Sequence, residues 1–350
     1  MKKNTKKSIM AIILLIAAVF ITGCVEDPVP PVEPPIPPVE DPVPPVEPPQ
    51  LDTLRMSFQP STHHAAFVVA DEKGWWKRDL APLGVNEIKV SPPFPSGMPQ
   101  MLAMLAEEHD VAFVGAAPAI SAIARGLDAK IVASVQTQGS DLVLRTDLIY
   151  ETPADLKGLT IGTFPPGSIQ HTVLSGWLIE NDLIIGEDVT LVPMGPSPAK
   201  AAIAARTVDA VFLPHPHPTI IEEDGTGTII VASGEMMAEH LCCVLVVSGT
   251  LIRDHPEIVE QIIRTFIYST EYVEANIDES SEIFAERLGM DPEIVKRSFA
   301  EWDGMWVLDP AIVVPSALEI AQTQYDIEVI DEMLTKADLF DLTFYQKARN

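Results

Sequence analysis

From Leu51 onward, short apolar runs alternate with segments whose apolar residues recur at helical spacing, the pattern of α/β layers with largely parallel sheets. The first unit is a strand "LRMSF" (54–58), a loop "QPSTHH" (59–64) and a helix over about residues 65–76. A strand "VNEIKV" (85–90) and a proline-rich loop lead to the helix "SGMPQMLAMLAEEH", in which Met98, Met101, Leu102 and Leu105 share one face. Next, "VAFVG" (111–115) runs straight into "AAPAISAIARG", and "AKIVASVQT" (129–137) ends in the polar, glycine-containing "QGSD".

The pattern then restarts. "TPADLKG" predicts a short helix and turn, "LTIGTF" (159–164) a strand, "PPGS" (165–168) a tight loop and "IQHTVLSGWLIENDL" (169–183) an amphipathic helix. A strand "VTLVPM", a helix "SPAKAAIAARTV" and a strand "DAVFLP" follow, the last leading into "HPHP"; then come "GTIIVAS", "GEMMAEHLCC" and the apolar "VLVVSG" (244–249). From Thr250 the spacing is mostly helical. Asp254 ahead of His255 and Pro256 reads as an N-terminal cap, Ile258, Ile262, Phe266 and Val273 carry one face, and Gly289 is placed to stop the next helix.

The N-terminal 50 residues follow other rules. "MKKNTKKSIMAIILLIAAVFITGC" has four lysines and then an apolar run from Ile9 to Ile21, shorter than the roughly 20 residues a span requires. It reads as a secretory signal peptide (residues 1–24), and "ITGC" is similar to a lipobox, at which Cys24 would be lipidated. Residues 25–50 repeat a 14-residue unit almost twice, nearly half proline, with six acidic residues and no basic one. Such a segment forms no core and predicts an extended polyproline stalk, with a reach of roughly 80 Å at about 3.1 Å per residue. An uncleaved helical anchor is the alternative, and with either the remainder of the chain is expected outside the cell and tied to the membrane.

The 300 residues after the stalk suffice for two lobes of about 150 each. A net charge of −27 over the 350-residue chain argues against nucleic acid as a partner. With Cys24 assigned to lipid, the two remaining cysteines, Cys242 and Cys243, are adjacent and predict buried thiols rather than a bridge.

Candidate chemistry sits in six loops that follow strands, where open α/β sheets bind ligands. These are "QPSTHH", "GAAPA" (115–119), "QTQGS" (136–140), "PPGS", "PHPHP" (214–218) and "GEM" (234–236). In "PPGS" the glycine permits close approach, and Ser168 can cap a helix whose free N–H groups face the ligand.

The lipobox and stalk, "FQPSTHHAAFVVADEKGWW", "DVAFVGAAPAISAIARGLDAKIV", "LKGLTIGTFPPGSIQ" and "LIRDHPEIVEQIIRTFIYSTEYV" together resemble a substrate-binding protein of an ABC importer, in the nitrate, sulfonate and taurine group that also includes binders of thiamine pyrimidine precursors. The likeness covers about residues 52–330. It implies a two-lobed, periplasmic-binding-protein-like α/β fold of type 2, with two crossings between lobes and the ligand in the cleft. The first crossing is expected at about 137–141 and the return near His240 to Val244. Lobe one is then 52–138 plus 244–330, lobe two 139–243, and 331–350 a C-terminal tail. Carried over loop by loop, the resemblance implies ligand contacts from Ser61, Thr62 and His63, from Gly115, Ala116 and Ala117, from Gln138, Gly139 and Ser140, from Gly167, Ser168 and Ile169, and from His215, with Glu235 beside them. His215 is expected to face the ligand more directly than His217, and the prolines to hold their loop in a rigid polyproline form. His64, Trp75, Trp302 and Trp306 offer further donors and flat faces, although lobe-core packing is the simpler expectation for the tryptophans. No arginine in these loops could clamp a sulfonate or carboxylate in bidentate fashion, which argues against a strongly anionic ligand.

The expected function is capture of a small polar or anionic solute, nitrate-, sulfonate-, taurine- or pyrimidine-like, for delivery to a permease and its ATPase, with no cofactor and no catalysis. A metal-capturing alternative rests on four histidines and a glutamate as an N/O set for zinc or nickel, but no H-x3-H or acidic-His tract supports it, and no metal site is assigned. A pyrimidine-synthase-like enzyme is a further alternative, without a legible nucleophile–base pair or phosphate loop. The same lobes could also serve a sensor receptor.

Overall fold

The computed structural model describes residues 51–350; residues 1–50, which carry the signal peptide, Cys24 and stalk expected from the sequence, lie outside the described residues. Eleven strands fall into two sheets. The first sheet contains β1 (Thr53–Ser57), β2 (Glu87–Val90), β3 (Val111–Gly115) and β4 (Ala129–Thr137). The chain then builds the second sheet from β5 (Ser140–Arg145), β6 (Thr160–Thr163), β7 (Thr190–Pro193), β8 (Ala210–Pro214) and β9 (Gly227–Ala232). It returns to the first with β10 (Leu241–Ser248) and the short edge strand β11 (Met305–Trp306). The orders are β11-β4-β10-β3-β1-β2 and β7-β6-β8-β5-β9.

Apart from the edge strand β11, which is antiparallel to β4, each sheet is parallel except for an inserted antiparallel strand. In the second sheet this is β5, antiparallel to β8 and β9; in the first it is β10, antiparallel to β3 and β4. Direction explains both. The parallel strands of either lobe end at the face between the lobes, so a strand that has just crossed that face must start there and run away from it. Pairings at the strand ends show this, with Ser140 opposite Pro214 and Cys243 opposite Gly115. The sequence pattern misses β5, "SDLVLR", because its polar start reads as loop, yet all but its last residue is buried and the strand lies between β8 and β9 in the second sheet.

The return comes earlier than expected. Leu241 and Cys243 already pair in the first sheet, so the second crossing runs over residues 237–240. The two crossings are tied together: Gln138 donates its backbone N–H to the His240 carbonyl at 2.9 Å, and its Oε1 accepts from the Glu239 amide at 3.0 Å.

Several helices also depart from the expectation. The helix foreseen over residues 65–76 is broken after Glu72 by Gly74 in the left-handed region (φ 68°) and resumes at Trp75–Leu80. In Gly97–Leu105 the buried face is Gln100, Met101 and Met104, while Leu102 and Leu105 are exposed, because Gly97 packs so closely on Pro118 that the helix rolls its start inward. Asp254 does not cap the helix Pro256–Ala275; it ends the preceding helix Gly249–Asp254, and His255 takes the cap position. Ile258, Ile262, Phe266 and Val273 are buried on the long helix, and Gly289 closes the helix Ile277–Leu288 with φ 67°. Among the described residues, no helix is long and apolar enough to cross a membrane.

Residues 331–350 are not a tail. Phe340 bridges Ile131 of β4, the helix Thr343–Arg349 lies on Pro256–Ala275, and Leu339, Phe340, Phe344, Tyr345 and Ala348 are buried in the lobe-one core. Burying five apolar side chains makes the segment integral to the fold. Phe344→Ala is accordingly expected to cost about 3–5 kcal/mol in a urea melt monitored by tryptophan fluorescence; a loss within error of zero would mean that the segment is dispensable.

Candidate functional site

A cavity lies between the two sheets, at the carboxyl ends of the parallel strands. Lobe one lines it with Gln59, Ser61, His63 and His64 from the loop after β1, with Gly97, Gly115 and Pro118, and with Cys242 and Cys243 at the start of β10. Lobe two contributes Phe164, Ser168, Ile169, Gln170, Pro214 and His217. The space open to the centre of a water-sized sphere is about 40 Å³, which suits a solute of few heavy atoms. No Asp, Glu, Lys or Arg is among the lining residues.

Local structure places each wall. After β1 the chain turns into a 3-10 segment, Thr62–His64, capped by the Ser61 hydroxyl on the His63 amide; this turn points His63 and His64 inward. Across the cavity, Ser168 caps the helix Ile169–Glu180 by accepting from the His171 amide at 3.1 Å, and Gly167 at φ 88° sets the turn before it. Gln170, in the first turn, donates to the Ser140 hydroxyl at 3.0 Å. Gln59 Oε1 accepts from the Gly115 amide at 3.2 Å, fixing two lobe-one walls to each other.

The structure sorts the sequence-predicted residues. Ser61, His63, Gly115, Ser168 and Ile169 line the cavity. Thr62, Ala116 and Ala117 are buried behind it, the Thr62 hydroxyl against Ser298 and the Ala117 carbonyl accepting from Gln324. Gln138, Gly139 and Ser140 form and follow the crossing rather than the wall, since their polar groups are committed to Asp303, His63 and Ser233. Gly167 is a turn residue whose carbonyl lies 3.5 Å from Gln324 Nε2. Glu235 is exposed, its carboxylate accepting from the Ala232 amide to cap its own short helix. Trp75 packs edge-on against Tyr268 and Tyr272 in lobe one, while Trp302 and Trp306 pack with tilted rings behind the crossing, Trp302 lying 5.4 Å from the His63 ring.

The two histidines of "PHPHP" exchange roles. His215 is fully buried and does not line the cavity: its Nε2 lies 2.7 Å from Asp141, and Nδ1 is 3.2 Å from Ser298 and 3.3 Å from Thr219. Its carbonyl accepts from the Ser61 hydroxyl and the Thr62 amide, so His215 sews lobe two to lobe one. Asp141 is nearly as buried; burial raises its pKa, and the hydrogen bond and charge of His215 oppose that rise. His217, by contrast, opens the helix His217–Glu223, so the segment is no extended proline loop, and the imidazole faces the cavity with neither ring nitrogen partnered. Burial lowers its pKa to about 3, and nearby Lys200 adds to that shift. His64 is similar: Nδ1 lies 3.1 Å from the Gln59 amide nitrogen, Nε2 has no partner, and burial first, then His63, lowers the pKa to about 3.

Sequence reasoning missed one cluster. Cys242 Sγ and Cys243 Sγ are 3.7 Å apart as free thiols and stand 3.5 and 3.8 Å from His63 Nδ1. Adjacent strand residues normally point to opposite faces. Here irregular register around Cys243 in the β10–β4 pairing turns both sulfurs to one side. Burial opposes ionisation of Cys242, but contact with Cys243 and His63 outweighs it and holds this thiol well below the ordinary value, whereas burial and Cys242 push Cys243 up. The adjacency of the cysteines was visible in the sequence; their approach to His63 is a tertiary contact across 179 residues.

Two α/β lobes, two crossings and a cavity at the strand ends define the two-lobed binding-protein fold. The chain belongs to the NMT1-like family, whose description it matches over residues 47–289. A Brucella abortus (strain 2308) protein named as a binding protein is 26% identical over 226 residues, covering 64% of this chain and 67% of that one. In structure the chain is similar to the alkanesulfonate-binding protein SsuA of Xanthomonas axonopodis pv. citri bound to MOPS, with a TM-score of 0.72, 21% identity, and coverage of 83% of this chain and 99% of that one. A zinc-bound ligand-binding component of an ABC-type import system from Staphylococcus aureus is likewise similar, with a TM-score of 0.72, 16% identity, and coverage of 85% and 99%.

The inverted roles have separate consequences. His215→Ala leaves the Asp141 carboxylate buried without its partner and is expected to cost about 3–5 kcal/mol in denaturant; an unchanged midpoint would contradict the stitching role. His217 acts on pH. The unfolded chain protonates this residue near its ordinary pKa, while the folded chain resists until about 3. Stability contributed by the neutral ring is therefore present above about 6.5 and is lost progressively as pH falls toward 3. His217→Gln should flatten the fall of folding free energy between pH 6.5 and 4 by up to one proton; equal slopes in the two proteins would refute this.

Proposed function

We infer that the chain captures a small solute between its lobes and presents it to the membrane permease and ATPase of an ABC importer. The observation that carries this is a cavity walled by both lobes, at the carboxyl ends of the strands, into which three buried and unpartnered imidazole nitrogens project: His64 Nε2 and both nitrogens of His217. Buried polar atoms without partners cost free energy in the protein alone, of the order of 1–3 kcal/mol each, which a hydrogen-bonding solute returns. Lobe-to-lobe contacts such as Ser61 to His215 and Arg297 to Glu222 and Glu223 then favour closure around it.

The solute is small and polar. Charge compensation for a sulfonate or nitrate is lacking at the wall, since the lining has no Arg or Lys and His64 and His217 stay neutral well below pH 7. Residues 1–24, read as a signal peptide ending at Cys24, and the stalk at 25–50 support an extracytoplasmic, lipid-anchored location. Capture proceeds without turnover in this reading, so a solute recovered after incubation should be chemically unchanged.

A thermal-shift screen of the chain against nitrate, taurine, alkanesulfonates, bicarbonate, pyrimidines, amino acids and divalent metals tests the assignment. At a hundred times its dissociation constant a specific solute adds about 2.7 kcal/mol. His217→Ala and Gln170→Ala should each weaken that solute about tenfold, the worth of one neutral hydrogen bond. If both variants bind it as tightly as the parent, the cavity is not the site.

A further inference from the structure

We propose that His63, Cys242 and Cys243 form a three-ligand site for a thiophilic d10 metal ion of the zinc type in the wall of the interlobe cavity, its fourth position open to the solute space. This rests on the reading of that cavity as the capture site and names what it captures: the metal ion, alone or carrying one small ligand.

The donor atoms are arranged for it. A carbonyl only accepts, so the 2.7 Å contact between His63 Nε2 and the Gly139 carbonyl fixes the proton on Nε2 and leaves the Nδ1 lone pair free. That lone pair points at the two sulfurs. A tetrahedral ion with Zn–S of about 2.3 Å and Zn–N of about 2.0–2.1 Å requires S···S of about 3.8 Å and N···S of about 3.6 Å. The observed separations are 3.7 Å for the sulfurs and 3.5 and 3.8 Å from sulfur to Nδ1. Among the described residues this is the one cluster of three or more His, Cys, Asp or Glu donors so placed, and all three are buried.

The support around the donors is equally specific. The Gly139 carbonyl orients the imidazole as outer partners of metal-bound histidines do. The bulged start of β10 aims both sulfurs one way, and the Cys243 amide is anchored at 3.1 Å on Gln136 Oε1. Charge also favours a metal over an anion. On binding, each thiol that is protonated gives its proton to solvent and a metal–sulfur bond replaces the S–H bond, so a dication with two thiolates is neutral in a wall without charged side chains. His64 and His217, with free ring nitrogens on the same cavity, are available to a ligand at the fourth position. The N/O set of four histidines and a glutamate does not assemble, because His215 is committed to Asp141 and Glu235 caps its own helix at the surface.

The test uses the untagged full chain, reduced and freed of metal, titrated with Zn2+ against a chromophoric chelator and, separately, with Co2+ followed by its sulfur-to-metal charge-transfer absorption. One zinc per chain and a thiolate band for cobalt are expected. Cys242→Ser and Cys243→Ser should each weaken zinc at least about 100-fold, more than loss of an outer partner does. Circular dichroism checks that the variants are folded, and the cobalt spectrum of the parent reports sulfur ligation independently of them. Absence of stoichiometric zinc, a cobalt spectrum without sulfur character, adventitious binding that the double serine variant retains, or a Cys242–Cys243 disulfide that persists under reductant would each overturn the site. If zinc fails but another solute stabilises the chain in a His217-dependent way, only the metal assignment falls; if no solute acts there, the capture reading falls as well.

Discussion

The cleft depends on a two-residue link. Gln138 and Gly139 carry the chain from β4 to β5, both at positive φ (56° and 84°), and a carboxylate from elsewhere in lobe one holds them in place. Asp303 accepts from the Gly139 amide at 2.8 Å, from Gln138 Nε2 at 2.9 Å and from the Gly234 amide of lobe two at 2.7 Å. These three charge-assisted bonds offset the conformational cost of a non-glycine residue in the left-handed region. On the opposite side the Gly139 carbonyl accepts a hydrogen bond from His63 Nε2–H, and a Cβ at this position would sit 2.6 Å from His63 Nε2 and 2.8 Å from Trp302. One glycine thus sets the lobe connection and the orientation of a cavity histidine.

From that constraint the division of labour among the histidines follows. His215 is spent on holding the lobes in register, through Asp141 on one lobe and Ser298 on the other. His63 is held by the crossing itself. His64 and His217 remain with free nitrogens, and burial keeps them neutral, so the wall recognises by hydrogen bonding and coordination rather than by charge. The strongly acidic surface, with −27 over the chain, is a property of the outside and does not reach the cavity.

Much of the fold was legible. β3 and β4 begin and end where the apolar runs do, and the restart of the α/β pattern after residue 141 marks the second lobe. What escaped was set by tertiary context. β5 begins with Ser140 and Asp141, which look like loop residues until Gln170 and His215 supply their partners. The last 20 residues look polar, but Phe340, Phe344 and Tyr345 anchor them in a groove only the finished lobe provides. At the site, loops were foreseen better than residues. "QPSTHH", "PPGS" and "PHPHP" all reach the cavity, yet which of two histidines turned inward was decided by the start of a helix at His217, and the thiol pair by irregular register in β10.

Hydrogen exchange of the chain with and without a stabilising solute addresses the central claim, that both lobes grip one ligand in the interlobe cavity. Amides in residues 59–64, 167–171, 215–219 and 241–243 should slow together on addition of the solute, because they bound the same space from opposite sides. Protection confined to one lobe, or located away from these segments, would contradict the account.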